Sequence, residues 1–221
     1  MQNVFSICTR FPGKREKPMN KQNSTIMKLA ETALLAALCY VSFTFLQIKI
    51  PVPGGDATSL HIGNTFCVLG ALLLGGWYGG LAGSIGMTIA DLMDPVYITG
   101  APKTFVLKLC IGLITGLVAH KIAKINETND KKYVFKWSLI ASIAGLAFNV
   151  IADPIVGYFY KQYILGQPQK VASILAKLSA GATFVNAIVS TILVVIIYNA
   201  VRPALIKANL IHVYVTAANA K

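Results

Sequence analysis

The chain has 221 residues, 55% of them hydrophobic and 13% charged, with a formal charge of +12 and a mean hydropathy of +0.63. Soluble domains carry about 25% charged residues, so this composition excludes an ordinary water-soluble fold. Apolar runs of near-spanning length recur along the chain and mark an all-α, polytopic membrane bundle; the basic residues cluster between those runs, which argues against nucleic acid as a partner.

Residues 1–25 carry most of the N-terminal lysines and arginines and no long apolar core of a signal peptide, so they read as a basic, disordered cytoplasmic tail. The membrane domain is expected over 26–200, with spans at about 27–47, 60–75, 78–95, 104–123, 134–158 and 174–199, and a cytoplasmic tail over 201–221. The second span is short, and 60–95 read as one long helix would give five spans instead. Charge separates the two readings. With six spans, the bases of the N-terminal tail, the 121–136 connection and the C-terminus share one face, fourteen of the 20 in all. Lys49, Lys103, Lys108, Lys161, Lys170 and Lys177 fall on the other. The positive-inside rule then predicts six spans with both termini cytoplasmic in the cell membrane, and "GGWYGG" (75–80) becomes a tight turn between spans two and three.

Polar side chains gather toward the opposite, outer ends of these spans. His61 stands with Asn64 and Thr65, Asp91 with Asp94, Thr104 with Lys108, and Asn149 with Asp153; Asn186 follows Ser179 and Thr183 on the last span. Within each set the spacing of three or four puts neighbours on one helix face. Polar groups in hydrocarbon turn toward a bundle interior or a wet cavity, so these faces predict one pocket. Alternatively they satisfy one another, for example Asp91 or Asp94 paired with Lys108. Tyr97 and Tyr158 suit stacking on a ligand ring and equally suit an interfacial belt.

Gly76/Gly80, Gly79/Gly83 and Gly112/Gly116 form GxxxG pairs that let backbones approach within the bundle. Ala33 and Ala37 form an AxxxA pair on the first span, suited to the bundle or to another protein. The four cysteines stand alone, without metal-ligand or disulfide spacing, and no two histidines share a helix face. No metal and no cofactor is therefore expected. "GAPKT" (100–104) lacks the glycine before the lysine that a phosphate loop needs. "GSIG" (83–86) has no histidine base within a facing span, so no catalytic residue is assigned and an enzyme is not expected.

The run "HIGNTFCVLGALLLGGWYGGLAGSIGMTIADL" followed by "APKTFVLKLCIGLITGLVAHKI" resembles the substrate-binding S component of energy-coupling factor (ECF) vitamin transporters. Within that family it is most similar to the branch holding hydroxymethylpyrimidine, pyridoxine and some riboflavin carriers. The resemblance implies a six-helix subunit that binds a small heteroaromatic vitamin from outside. It also implies partners: a membrane coupling subunit met by Ala33 and Ala37, and two cytosolic ATPases. Residues 48–61 would be the lid over the pocket. His61, Gly63 and Asn64 match the family's H-x-G-D-like start of span two except that Asn replaces the acid, and Thr104 and Lys108 match its T-x-x-x-K. The expected substrate-binding set is His61, Asn64, Asp91, Asp94, Tyr97, Thr104, Lys108, Asn149, Asp153, Tyr158 and Asn186. A stand-alone ion-coupled secondary transporter, using Asp91 and Asp94 for coupling, is the alternative, ahead of an intramembrane enzyme.

Overall fold

Six helices and one β-hairpin make up the computed structural model, which describes residues 21–52 and 56–208. In chain order these are α1 (Lys21–Phe45), β1 (Gln47–Val52), β2 (Asp56–His61), α2 (Gly63–Leu74), α3 (Gly76–Met93), α4 (Ala101–Gly116), α5 (Lys131–Phe159) and α6 (Gln169–Lys207). Residues 1–20 and 209–221, which include most of the expected terminal tails, lie outside the described residues. Helical stretches at 25–45, 98–127, 131–164 and 169–207 are long and apolar enough to cross a membrane. α2 has only 12 residues, and from Gly63 to Leu72 all but Phe66 are buried, so protein rather than lipid surrounds it.

α2 and α3 are separate helices, as the six-span reading expects, but the break between them is one residue. Gly75 has φ +93, a value that favours glycine, and Gly76 already opens α3. The rest of "GGWYGG" is therefore the first turn of α3, and Lys28 of α1 lies 5.8 Å from the Tyr78 ring centroid there. At the same end Arg202 of α6 donates to the carbonyls of Ile125 and Thr128, at 2.9 and 3.1 Å, and holds the α4–α5 connection.

α3 is the spine of the bundle because its glycines remove side chains where three helices approach. A Cβ on Gly79 would overlap the backbone of Ala71 in α2, and one on Gly83 would strike Cys67. Gly86 faces Ala36 and Cys39 of α1, while Gly80 lies against Gly112 of α4 and Gly76 against Gly116. Close backbone approach of this kind is how membrane helices associate where lipid supplies no hydrophobic drive. Cys39, Cys67, Val68, Leu72, Met87 and Ile111 fill the core between them.

The expected lid segment is a β-hairpin. Gln47 pairs with His61 and Val52 with Asp56, leaving 53–55 as the connection. Alternating Ile48 and Ile50 favour a strand, and Pro-Gly-Gly favours the turn. An isolated two-stranded hairpin is marginal in water, so its anchors on the helices decide whether it stays in place.

Candidate functional site

A cavity of about 130 Å³ lies beneath the hairpin, between the ends of α3, α4, α5 and α6. β2 supplies its roof through Ala57, Thr58 and Ser59. Seven of the residues expected at the site border it: His61, Asp91, Tyr97, Thr104, Lys108, Asp153 and Asn186.

On one side stands a chain of paired charges. Lys103 on α4 donates to Asp153 on α5 at 2.8 Å, and Ser179 on α6 donates to the other oxygen of that carboxylate. Three helices thus meet at one carboxylate, and both of its oxygens are engaged by the protein. Lys103 also borders the cavity and was not among the residues expected to bind. A signal for it existed, because a carboxylate in a span requires a cation partner, and Lys103 lies one residue before Thr104.

On the floor, Lys108 is buried and donates to Asn64 Oδ1 at 2.9 Å. It pairs with neither Asp91 nor Asp94, contrary to the internal pairing that the sequence allowed. Asp91 instead lies beside the Thr104 side chain, and both border the cavity. Beyond this bond to Asn64, the compact Lys108 ammonium, with three donors in all, borders the cavity.

His61 ends β2 and turns its Nδ1 toward the first turn of α2, where it accepts from the Gly63 N–H at 3.2 Å. In the neutral ring that acceptor role leaves the proton on Nε2, which becomes a donor. Its ring packs edge-on against Phe43 at 4.7 Å, and Phe43 meets Tyr97 at 6.0 Å. An aromatic corner thus faces the charged wall.

Two residues expected to bind ligand serve the hairpin. Asn186 accepts from the His61 N–H and donates to the Ser59 carbonyl, both at 3.0 Å, clasping β2 to α6. Asp94 lies outside the cavity and pairs with Lys49 of β1. Its other oxygen accepts from the Val96 N–H at 3.1 Å. Burial works to raise its pKa, but the Lys49 ammonium and that N–H outweigh it and hold the carboxyl below its usual value of 3.8. Asn149 is buried one turn deeper on α5, outside the cavity lining. Tyr158 faces a separate groove on the outside of α5 and α6. Tyr160, two residues on, borders the cavity and donates to the Thr99 carbonyl at 2.8 Å. Asp153, Gly157 and Tyr160 stand four and three residues apart and all border the cavity, so ordinary helical spacing puts Tyr158 on another face.

Residues 23–203 match the family described as ECF-type riboflavin transporter, S component. No curated protein sequence matches the chain. Among solved structures, that of ThiT from Listeria monocytogenes is similar in fold, with a TM-score of 0.60 at 20% sequence identity, covering 83% of this chain and 98% of that one.

Proposed function

The chain belongs to the S-component family of ECF-type riboflavin transporters, and from that premise we propose that its cavity binds a small, hydroxylated heteroaromatic vitamin of one ring, of the pyridoxine or hydroxymethylpyrimidine type. The observation that carries this reading is the pairing of an aromatic corner with a wall of charged donors and acceptors in a small enclosed space. Phe43 and Tyr97 offer a ring surface. Lys108, His61 and Asp91 offer polar atoms to hydroxyls and ring nitrogens. About 130 Å³ is below the 300–1,000 Å³ of drug-sized pockets, which favours one ring over three. Riboflavin is the second reading, favoured by the family's own description.

In this proposal the cavity opens to the outside, both termini are cytoplasmic, and a coupling subunit with two ATPases drives uptake. The 14-to-6 distribution of basic residues supports the orientation. Ala33 and Ala37 are exposed on α1, and in this proposal they meet the coupling subunit.

Calorimetric titration of pyridoxine, hydroxymethylpyrimidine and riboflavin into the detergent-purified protein tests the substrate class. Lys108→Met keeps the volume and removes the ammonium. A hydrogen bond to a charged group is worth about 1.5–3 kcal/mol, so affinity is expected to fall about ten- to a hundredfold with little change in the melting temperature of the ligand-free protein. Tight riboflavin binding with no response to the one-ring vitamins would establish the second reading. Unchanged affinity in Lys108→Met would place the ligand elsewhere.

A further inference from the structure

α6 contains a glycine that no neighbouring helix explains. The glycines of α3 and those of α4 lie against the backbones or side chains of their neighbours, yet a Cβ on Gly181 would meet nothing within 4 Å. Glycine weakens a helix interior relative to alanine, so open space at this position points to something outside the chain.

On α6, Gly181 stands one turn from Lys177 and one from Phe184, which line two apolar grooves outside α5 and α6. The deeper one, about 430 Å³, has Leu146 and Ala187 in its floor and Ile151, Phe184 and Ile188 along its rim. Those three rim residues are between 48% and 64% exposed, so they face lipid. The second groove, about 350 Å³, continues toward the cavity end past Ala180, Tyr158 and Lys177. Lys170 and Lys177 are both exposed and stand seven residues apart on one face of α6. Neither has an ion pair among the described residues. From Ala180 to Ile192 the seam runs about 18 Å at about 1.5 Å per residue, slightly more than half of a hydrocarbon core about 30 Å thick.

We propose that this seam holds one anionic phospholipid, with an acyl chain in the groove beside Gly181 and its phosphate on Lys177. The ammonium of Lys177, which lines the upper groove, supplies the charge complement. Tyr158 lies beside Lys177 in the upper groove, a residue type found where acyl chains give way to headgroups. A flexible chain suits this groove better than another protein's helix. Helix contacts in membranes need small residues along the rim, and here the rim is Ile and Phe.

Native mass spectrometry after reconstitution with phosphatidylglycerol or phosphatidylcholine, followed by detergent washing, reads the site directly. Wild type is expected to retain one phosphatidylglycerol, in preference to phosphatidylcholine by about fivefold for one lysine. Lys177→Gln should abolish that preference while leaving an acyl chain bound. Gly181→Leu fills the open space between the grooves and should release both lipids; Ala147→Leu fills the deeper groove from α5 and guards against a folding fault in the first variant. Equal retention of the two lipids by wild type would overturn the site for an anionic headgroup. Retention by both filled variants at the wild-type level would overturn the acyl site. Loss of a self-association or of a co-purifying subunit on filling the groove would put a protein helix on the seam and refute the lipid.

Discussion

Asp94 stands at the end of an apolar span, where an acid suggests a ligand contact, and in the structure it pairs with Lys49 of β1. Its pKa is lowered in the folded protein, so its contribution is present above the unfolded value near 3.8 and is lost as the pH falls through the folded one. Such partly exposed pairs are worth about 0.2–1 kcal/mol. Hydrogen-exchange protection of the hairpin amides, corrected for intrinsic rate, should therefore be steady from neutral pH down to about pH 4 and fall by about two- to fivefold below it. Asp94→Asn should show weaker protection at neutral pH and no such acid step; the same step in the variant would refute the clasp. Asn186 is a parallel case, since its pairing with Ser59 and His61 spans 125 or more positions and has no local signature. Lys103, by contrast, was legible in principle from the need of Asp153 for a cation.

Among the elements, the helices were the readable part. Long apolar runs bounded by charge predict them well, and the expected break between 60–75 and 78–95 falls at Gly75. The hairpin was harder to see because six residues per strand with a proline in one of them resemble a loop in a sequence dominated by helix signals. The GxxxG spacing of α3 and α4 announced close packing without saying which helices meet. In the structure Gly112 lies against Gly80, so that a Cβ would overlap the Gly80 backbone. Gly112→Leu is expected to cost about 1–3 kcal/mol or more, as overpacking does, and to lower the thermal midpoint of the purified protein or prevent its recovery. Wild-type stability in that variant would mean that α3 and α4 do not pack in this way.

Across the whole molecule, the cavity and the exposed alanines of α1 are built from different parts. The polar wall comes from α4, α5 and α6, whereas Ala33 and Ala37 lie on the outer surface of α1, next to the exposed Leu34 and Leu38. This division predicts that Ala33→Trp or Ala37→Trp abolishes vitamin uptake by cells while the purified variant binds vitamin as wild type does. Parallel uptake and calorimetry measurements check it, and loss of binding together with uptake would place the alanines inside the bundle's own packing. The hairpin that roofs the cavity hangs from two clasps of unlike kind. One is the neutral, buried amide of Asn186, and the other is the ion pair of Lys49 and Asp94, whose lysine is 44% exposed. Dissolved ions screen exposed charges over about 8 Å at physiological strength and leave a buried amide almost untouched. High salt is therefore expected to weaken the Lys49–Asp94 edge of the roof and to spare the Asn186 edge.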